Sequence, residues 1–237
     1  MNKYLTELIG TFFLVLTIGL SVLGGTPMAP LAIGAVLMVM VYMGGHVSGG
    51  HYNPAVSLAV FLRGKLQALD VVPYMTAQVL GAVAAAAVVY VVLGRTFAPA
   101  PGPAASAVGA LLVEVLYTTA LCLVVLHSAT APQTTGNSFY GLAIGFTVAA
   151  GAFAGGPISG GAFNPAVGIG PILVSAVLGG GSLANLWLYL LGPFVGGALA
   201  AAVYRVQQPA EATPQEALAA RADLGEAVPS SRRRTPA

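Results

Sequence analysis

The chain has 237 residues, of which 57% are hydrophobic and only 7% charged, and its formal net charge is +2. A soluble domain carries about 25% charged residues, so the composition excludes an ordinary water-facing globule and defines a polytopic membrane protein. No basic face is available to neutralise phosphates, which excludes a nucleic-acid partner. The single cysteine excludes an intrachain disulfide, and with three scattered histidines it assembles no metal or cofactor site.

Apolar runs suited to crossing a bilayer, roughly 20 residues each, fall at 4–23, 30–43, 71–93, 108–127, 139–154 and 183–204. The first follows Lys3 and has the outline of a signal peptide. Glu7 interrupts it and no cleavage motif follows, so it reads as a retained span. The second and fifth are short because they run into Gly-rich stretches. Two further apolar segments, 53–62 and 164–173, have ten residues each. At the helical rise each reaches roughly 15 Å, half a hydrocarbon core, and both read as half-helices.

Each half-helix follows a repeated stretch. Ser48-Gly49-Gly50-His51-Tyr52-Asn53-Pro54-Ala55-Val56 returns as Ser159-Gly160-Gly161-Ala162-Phe163-Asn164-Pro165-Ala166-Val167, identical at seven of nine positions. Each copy reads as a Gly-rich turn with Asn at the N-cap and Pro in the first turn, where its missing N–H costs nothing. The similarity extends further. Glu7 corresponds to Glu114, and the segment from Gln78 corresponds to the one from Pro193. The chain therefore divides into a first repeat, 1–94, a Pro- and Ala-rich linker, 95–107, a second repeat, 108–204, and a tail, 205–237. Three full spans per repeat is an odd number, so the second repeat enters inverted. Inverted repeats with broken helices place their special site near the membrane midplane. The polar stretch 128–137 reads as a loop, and the tail as unstructured apart from a short helix at 215–222. Lys3, Arg63, Lys65 and Arg205 fall on one side and Arg95 on the other, which puts both termini in the cytoplasm.

Two half-helices meeting head to head bring two positive dipole ends together. Asn53 and Asn164 can each accept from their own helix start and still offer an N–H inward. Such a site repels cations and offers donors to a neutral, hydrogen-bonding molecule.

The paired Asn53-Pro54-Ala55 and Asn164-Pro165-Ala166, the Ser-Gly-Gly lead-ins, the repeat-leading Glu7 and Glu114, and Gly170-Pro171 and Gly192-Pro193 are similar to those of the aquaporin (major intrinsic protein) family. The resemblance covers residues 1–204. It implies an all-α membrane protein with six transmembrane helices and two half-helices in an inverted repeat. It also implies one pore per subunit, a homotetramer, no enzymatic activity, and passive flow of water or small neutral solutes. Family members carry Arg directly after the second Asn-Pro-Ala, where this chain has Val167. By the same resemblance the rest of the outer constriction falls on Ile33, Ala152 and Gly161, where water-selective members carry an aromatic, a His and a small residue. An Ile, Ala, Gly, Val lining offers no charge and no side-chain hydrogen bond. That predicts a wider, more apolar constriction and makes glycerol, urea and ammonia sterically plausible, although an apolar ring can also impede water by dewetting. Gly168, where glycerol-conducting members carry Asp, and Tyr189-Leu190 match neither subtype. Gly161 falls where some water channels carry a mercury-sensitive Cys, so that block is expected to be absent.

Other polar residues have two readings each. Glu7 and Glu114 are intramembrane carboxylates, and with no basic relay partner they read as acceptors for the backbone leading into each half-helix rather than as a proton relay. His46 reads as a gate-side or pore-mouth residue rather than a metal ligand. His51 reads as pore lining near Asn53 or as plain packing. Gly141, Gly145, Gly192 and Gly196 have the spacing for close helix crossings within a subunit, and Cys122 for a small lipid- or core-facing position. Arg232-Arg233-Arg234-Thr235 reads as a solvated tail end rather than a lipid contact or phosphorylation site. A structural or non-conducting membrane protein of the same fold, or a secondary transporter, are the alternatives to a channel.

Overall fold

A computed structural model describes residues 1–208. Among them are eight α-helices and no strand. Six are long and apolar enough to cross a membrane, with 20 to 26 residues each. These are α1 (Asn2–Leu23), α2 (Ala29–Ser48), α4 (Ala68–Leu93), α5 (Ala107–Val125, continued by a π-helical turn to Thr130), α6 (Tyr140–Ser159) and α8 (Leu186–Gln207). The two shorter helices are α3 (Pro54–Leu62) and α7 (Pro165–Leu178).

Most boundaries follow from local chemistry. α2 and α6 run to Ser48 and Ser159, five residues beyond the apolar runs that predict them. Gly44 packs against the Tyr52 hydroxyl and Gly155 against Val113, where a Cβ would clash, and each helix stops only where Gly49 (φ +92°) or Gly160 (φ +90°) takes the left-handed cap conformation. α7 has 14 residues rather than the expected ten, because it runs past residue 173 to Leu178 and stops at Gly179. At about 1.5 Å per residue it reaches about 21 Å. Part of the expected polar loop at 128–137 is the π-helical turn that ends α5. α8 continues three residues past its expected end at Tyr204. The expected helix at 215–222 and the arginine run at 232–234 lie outside the described residues.

The bundle is held by close crossings. α1 packs on α2 and α4, α2 on α6, and α5 on α6. At the α2–α6 crossing a Cβ on Gly34 would sit 2.5 Å from the Gly145 carbonyl, and one on Gly145 would sit 2.4 Å from the Gly34 carbonyl. Only glycine permits that approach, and the gain in a bilayer is van der Waals packing rather than hydrophobic burial. The two halves interlock: α7 packs on α4 of the first half, and α3 lies against α8 of the second, with Ala55 under Gly197. Outward positions such as Phe146, Phe153 and Trp187 are exposed and apolar, as a lipid-facing surface requires. At the N-terminal end of α1, Lys3 pairs with Asp70 at 2.6 Å and Tyr4 donates to the same carboxylate at 2.7 Å.

Candidate functional site

The two half-helix starts are built alike. Asn53 and Asn164 are N-caps in extended conformation, and their Oδ1 atoms accept from Ala55 N at 2.8 Å and Ala166 N at 2.9 Å. Pro54 and Pro165 occupy the first turn. Before each Asn, Tyr52 and Phe163 hold φ of +48° and +49°, a conformation that costs a bulky residue of order 1–3 kcal/mol. The twist has a structural use. It turns the Tyr52 N–H onto Glu7 Oε2 at 2.6 Å and the Phe163 N–H onto Glu114 Oε2 at 2.7 Å. It also turns each carbonyl toward the opposite motif. Asn53 Nδ2 donates to the Phe163 carbonyl at 2.9 Å, and Asn164 Nδ2 donates to the Tyr52 carbonyl at 2.9 Å.

Glu7 and Glu114 are fully buried and collect the donors of the turns. Glu7 Oε1 accepts from Ser48 Oγ at 2.6 Å and His51 N at 2.9 Å. Glu114 Oε1 accepts from Ser159 Oγ at 2.7 Å and Ala162 N at 3.0 Å. The turn carbonyls are satisfied from outside: Tyr74 Oη donates to Ser48 O at 2.8 Å and Tyr189 Oη to Ser159 O at 2.5 Å. Backbone that leaves helical geometry inside a bilayer needs such partners, since no lipid can supply them.

A cavity of about 390 Å³ runs between the half-helices and the outer helices. Ile33, Ala152, Gly161 and Val167 all border it, together with Asn53, Asn164 and His51. Among the described residues no Asp, Glu, Lys or Arg does so. A second cavity of about 490 Å³, bordered by Lys65, Asp70 and Tyr74, opens at the opposite end of the helices. His51 and Val125 border both cavities and so stand at their junction. His46 is the residue read as gate-side or pore-mouth. It is exposed on α2 and borders neither cavity. It lies two residues before buried Ser48, and two helical steps rotate a side chain by about 200°, away from the interior. Cys122 is a core residue with no exposed surface.

Several participants carried no motif. The linker is more than a connector: Phe97 and Ala100 border the first cavity, and Gly102 N donates to Ile158 O at 2.9 Å. Ser57 and Gln78 are buried polar residues beside Glu7 and His51. Ser57 carries no sequence signal beyond polarity inside an apolar helix, and Gln78 stood out only as the start of the segment that matches the one from Pro193. Tyr189 and Gly168 fit each other, since a Cβ at 168 would lie 2.4 Å from the Tyr189 Cβ.

The fold and site thus define a multi-pass membrane protein with paired half-helices capped by Asn around an uncharged cavity. The sequence profile of the major intrinsic protein family matches residues 1–204. The chain is 36% identical to Aquaporin NIP1-1 of Zea mays, over 87% of this chain and 74% of the relative. It is 37% identical to Glycerol uptake facilitator protein-like 6 of Lactiplantibacillus plantarum, over 87% and 98%, and 35% identical to Aquaporin Z of Rhodopseudomonas palustris, over 88% and 94%. Its fold is similar to the X-ray structure of the aquaglyceroporin from Plasmodium falciparum, with a TM-score of 0.74 and 22% identity over 86% of this chain and 94% of that one. The chain belongs to the major intrinsic protein family. It is a passive channel of the water and small-solute class.

Proposed function

We propose that this channel conducts water and small uncharged solutes of the glycerol, urea and ammonia class, through one pore in each subunit of a homotetramer. The two cavities form the path, with repeats 1–94 and 108–204 contributing one half-helix each, and both termini are cytoplasmic. The observation that carries this reading is the pair of crossed Asn–carbonyl bonds beside a cavity free of charge. Each carboxamide uses its oxygen at its own helix start and one N–H on the opposite turn, which leaves a second N–H for a passing solute. With two helix N-termini behind them, these donors disfavour cations. Ile33, Ala152, Gly161 and Val167 form the selectivity filter, which screens by size and apolarity rather than by charge.

The test is stopped-flow light scattering on proteoliposomes, with water, glycerol, urea and ammonia tried in turn and a pH dye inside. Rates above those of empty vesicles for water and at least one of the three solutes are expected, without proton leak. Rates equal to empty vesicles for every solute would establish the non-conducting alternative. Saturable, gradient-coupled uptake would establish a secondary transporter.

A further inference from the structure

The half-helix turns differ in one respect. Glu7 has a fourth donor, Gln78 Nε2 at 2.8 Å. Gln78 Nε2 also donates to Ser57 Oγ at 2.9 Å, and Ser57 Oγ lies 3.0 Å from His51 Nδ1. All four residues are buried. In the second half the equivalent positions are Pro193, Gly168 and Ala162, which cannot build the chain.

The hydrogen bonds in this chain have a direction. Glu7 serves as acceptor to Ser48, His51, Tyr52 and Gln78. The Gln78 amide must therefore turn its nitrogen toward Glu7, because the flipped amide would set oxygen against oxygen. This orientation leaves Gln78 Oε1 buried without a partner among the described residues. An unpaired buried oxygen calls for a reason, and here both amide hydrogens are committed to Glu7 and Ser57. Ser57 Oγ accepts from Gln78, so its own hydrogen is available to His51 Nδ1. Nδ1 is then the acceptor, and the neutral ring carries its hydrogen on Nε2. Among the described residues no hydrogen bond reaches Nε2, and His51 borders both cavities.

We infer that Gln78 and Ser57 are positioning residues that lock His51 as the Nε2–H tautomer, so that it presents a hydrogen-bond donor at the junction of the two cavities. Together with the free N–H groups of Asn53 and Asn164, this concentrates side-chain donors along the first cavity and its junction with the second, while Asp70 borders only the second. It selects for solutes that offer oxygen or nitrogen lone pairs. The selectivity consequence rests on the proposed conduction path, whereas the tautomer assignment does not.

The experiment is ¹⁵N NMR of the full chain in bilayers with ¹⁵N-labelled imidazole, His51 being assigned from the signals lost in His51→Gln. The wild type is expected to show His51 with a bare Nδ1 and a protonated Nε2. Ser57→Ala and Gln78→Met are expected to raise the Nδ1–H population several-fold, while Ser57→Thr, which keeps the hydroxyl, retains the wild-type tautomer. The signals of His46 and His127 report whether each variant keeps its fold. A wild-type His51 protonated on Nδ1, or an unchanged tautomer in folded Ser57→Ala, would overturn the inference. The expected tautomer in a protein without solute flux would overturn the conduction path alone.

Discussion

The Asn53 carboxamide donates to the Phe163 carbonyl at 2.9 Å, joining residues 110 apart in the chain, and Asn164 returns the bond to Tyr52 at the same distance. The start of each half-helix is thus tied to the turn that precedes the other. The left-handed backbone of Tyr52 and Phe163 persists because a glutamate holds its N–H and an asparagine holds its carbonyl. Asn53→Ala removes both a cap and a clasp. A lost cap costs about 1 kcal/mol, and the orphaned Phe163 carbonyl adds to it. The thermal unfolding temperature in detergent should fall measurably. Asn53→Asp keeps the capping oxygen but replaces the donor with a carboxylate, so proton or cation leak should rise in dye-loaded liposomes. An unchanged leak would move the cation barrier away from this pair.

The two glutamates are predicted to be unequal. Glu114→Ala leaves the buried N–H groups of Ala162 and Phe163 without their acceptor, at about 1–3 kcal/mol each. Glu7→Ala does the same to His51 and Tyr52 and also strips Gln78 of one partner. Thermal melts of the two variants should show Glu7→Ala to be the more damaging. Equal losses would mean that the fourth donor contributes nothing to stability.

Val167→Arg places a long cation in a cavity bordered by Ile33, Ala152 and Gly161. Glycerol and urea flux should drop more than water flux, because the larger solutes lose more of the cross-section. Unchanged glycerol and urea rates would show that the constriction lies elsewhere.

Mercury offers an independent check. Cys122 is fully buried, so Hg²⁺ should leave the wild-type water rate unaltered. Ala152→Cys adds a thiol to the cavity lining on a regular helix, and its flux should become mercury-sensitive and recover with reductant. Ala152 is a better host than Gly161, whose φ of +64° strains any side chain.

Gly168→Ala tests packing rather than conduction. Its Cβ would meet the Tyr189 Cβ at 2.4 Å. Overpacking of this kind costs about 1–3 kcal/mol, and a lower melting temperature with a reduced yield of folded protein is the expected outcome. The contact also links two departures from the family pattern. With Tyr189 in the sixth full span, position 168 has no room for an aspartate.

The spans, the half-helices and their caps were legible in the sequence because each depends on neighbours in the chain. A run of apolar residues must match a bilayer's thickness, and an Asn-Pro start satisfies its own helix. The repeat added Glu7 and Glu114 by symmetry. His46 and His51 are five residues apart; helix phase turns His46 outward on α2, whereas the left-handed turn at Gly49 and Gly50 carries His51 to the cavities. The ends of α2 and α6 were hidden because glycine reads as a breaker until a packed partner explains it.

By itself the sequence determined the class of protein, the six spans, the two capped half-helices and the absence of charge at the proposed filter positions. Which polar groups meet was decided by the tertiary structure alone. The crossed Asn–carbonyl bonds, the Glu7–Gln78–Ser57–His51 chain, the linker beside the cavity and the fit of Gly168 to Tyr189 join segments far apart in sequence. Their geometry comes from how closely the helices cross. That closeness is set by the shapes of both partners at once, which no local pattern in either segment encodes.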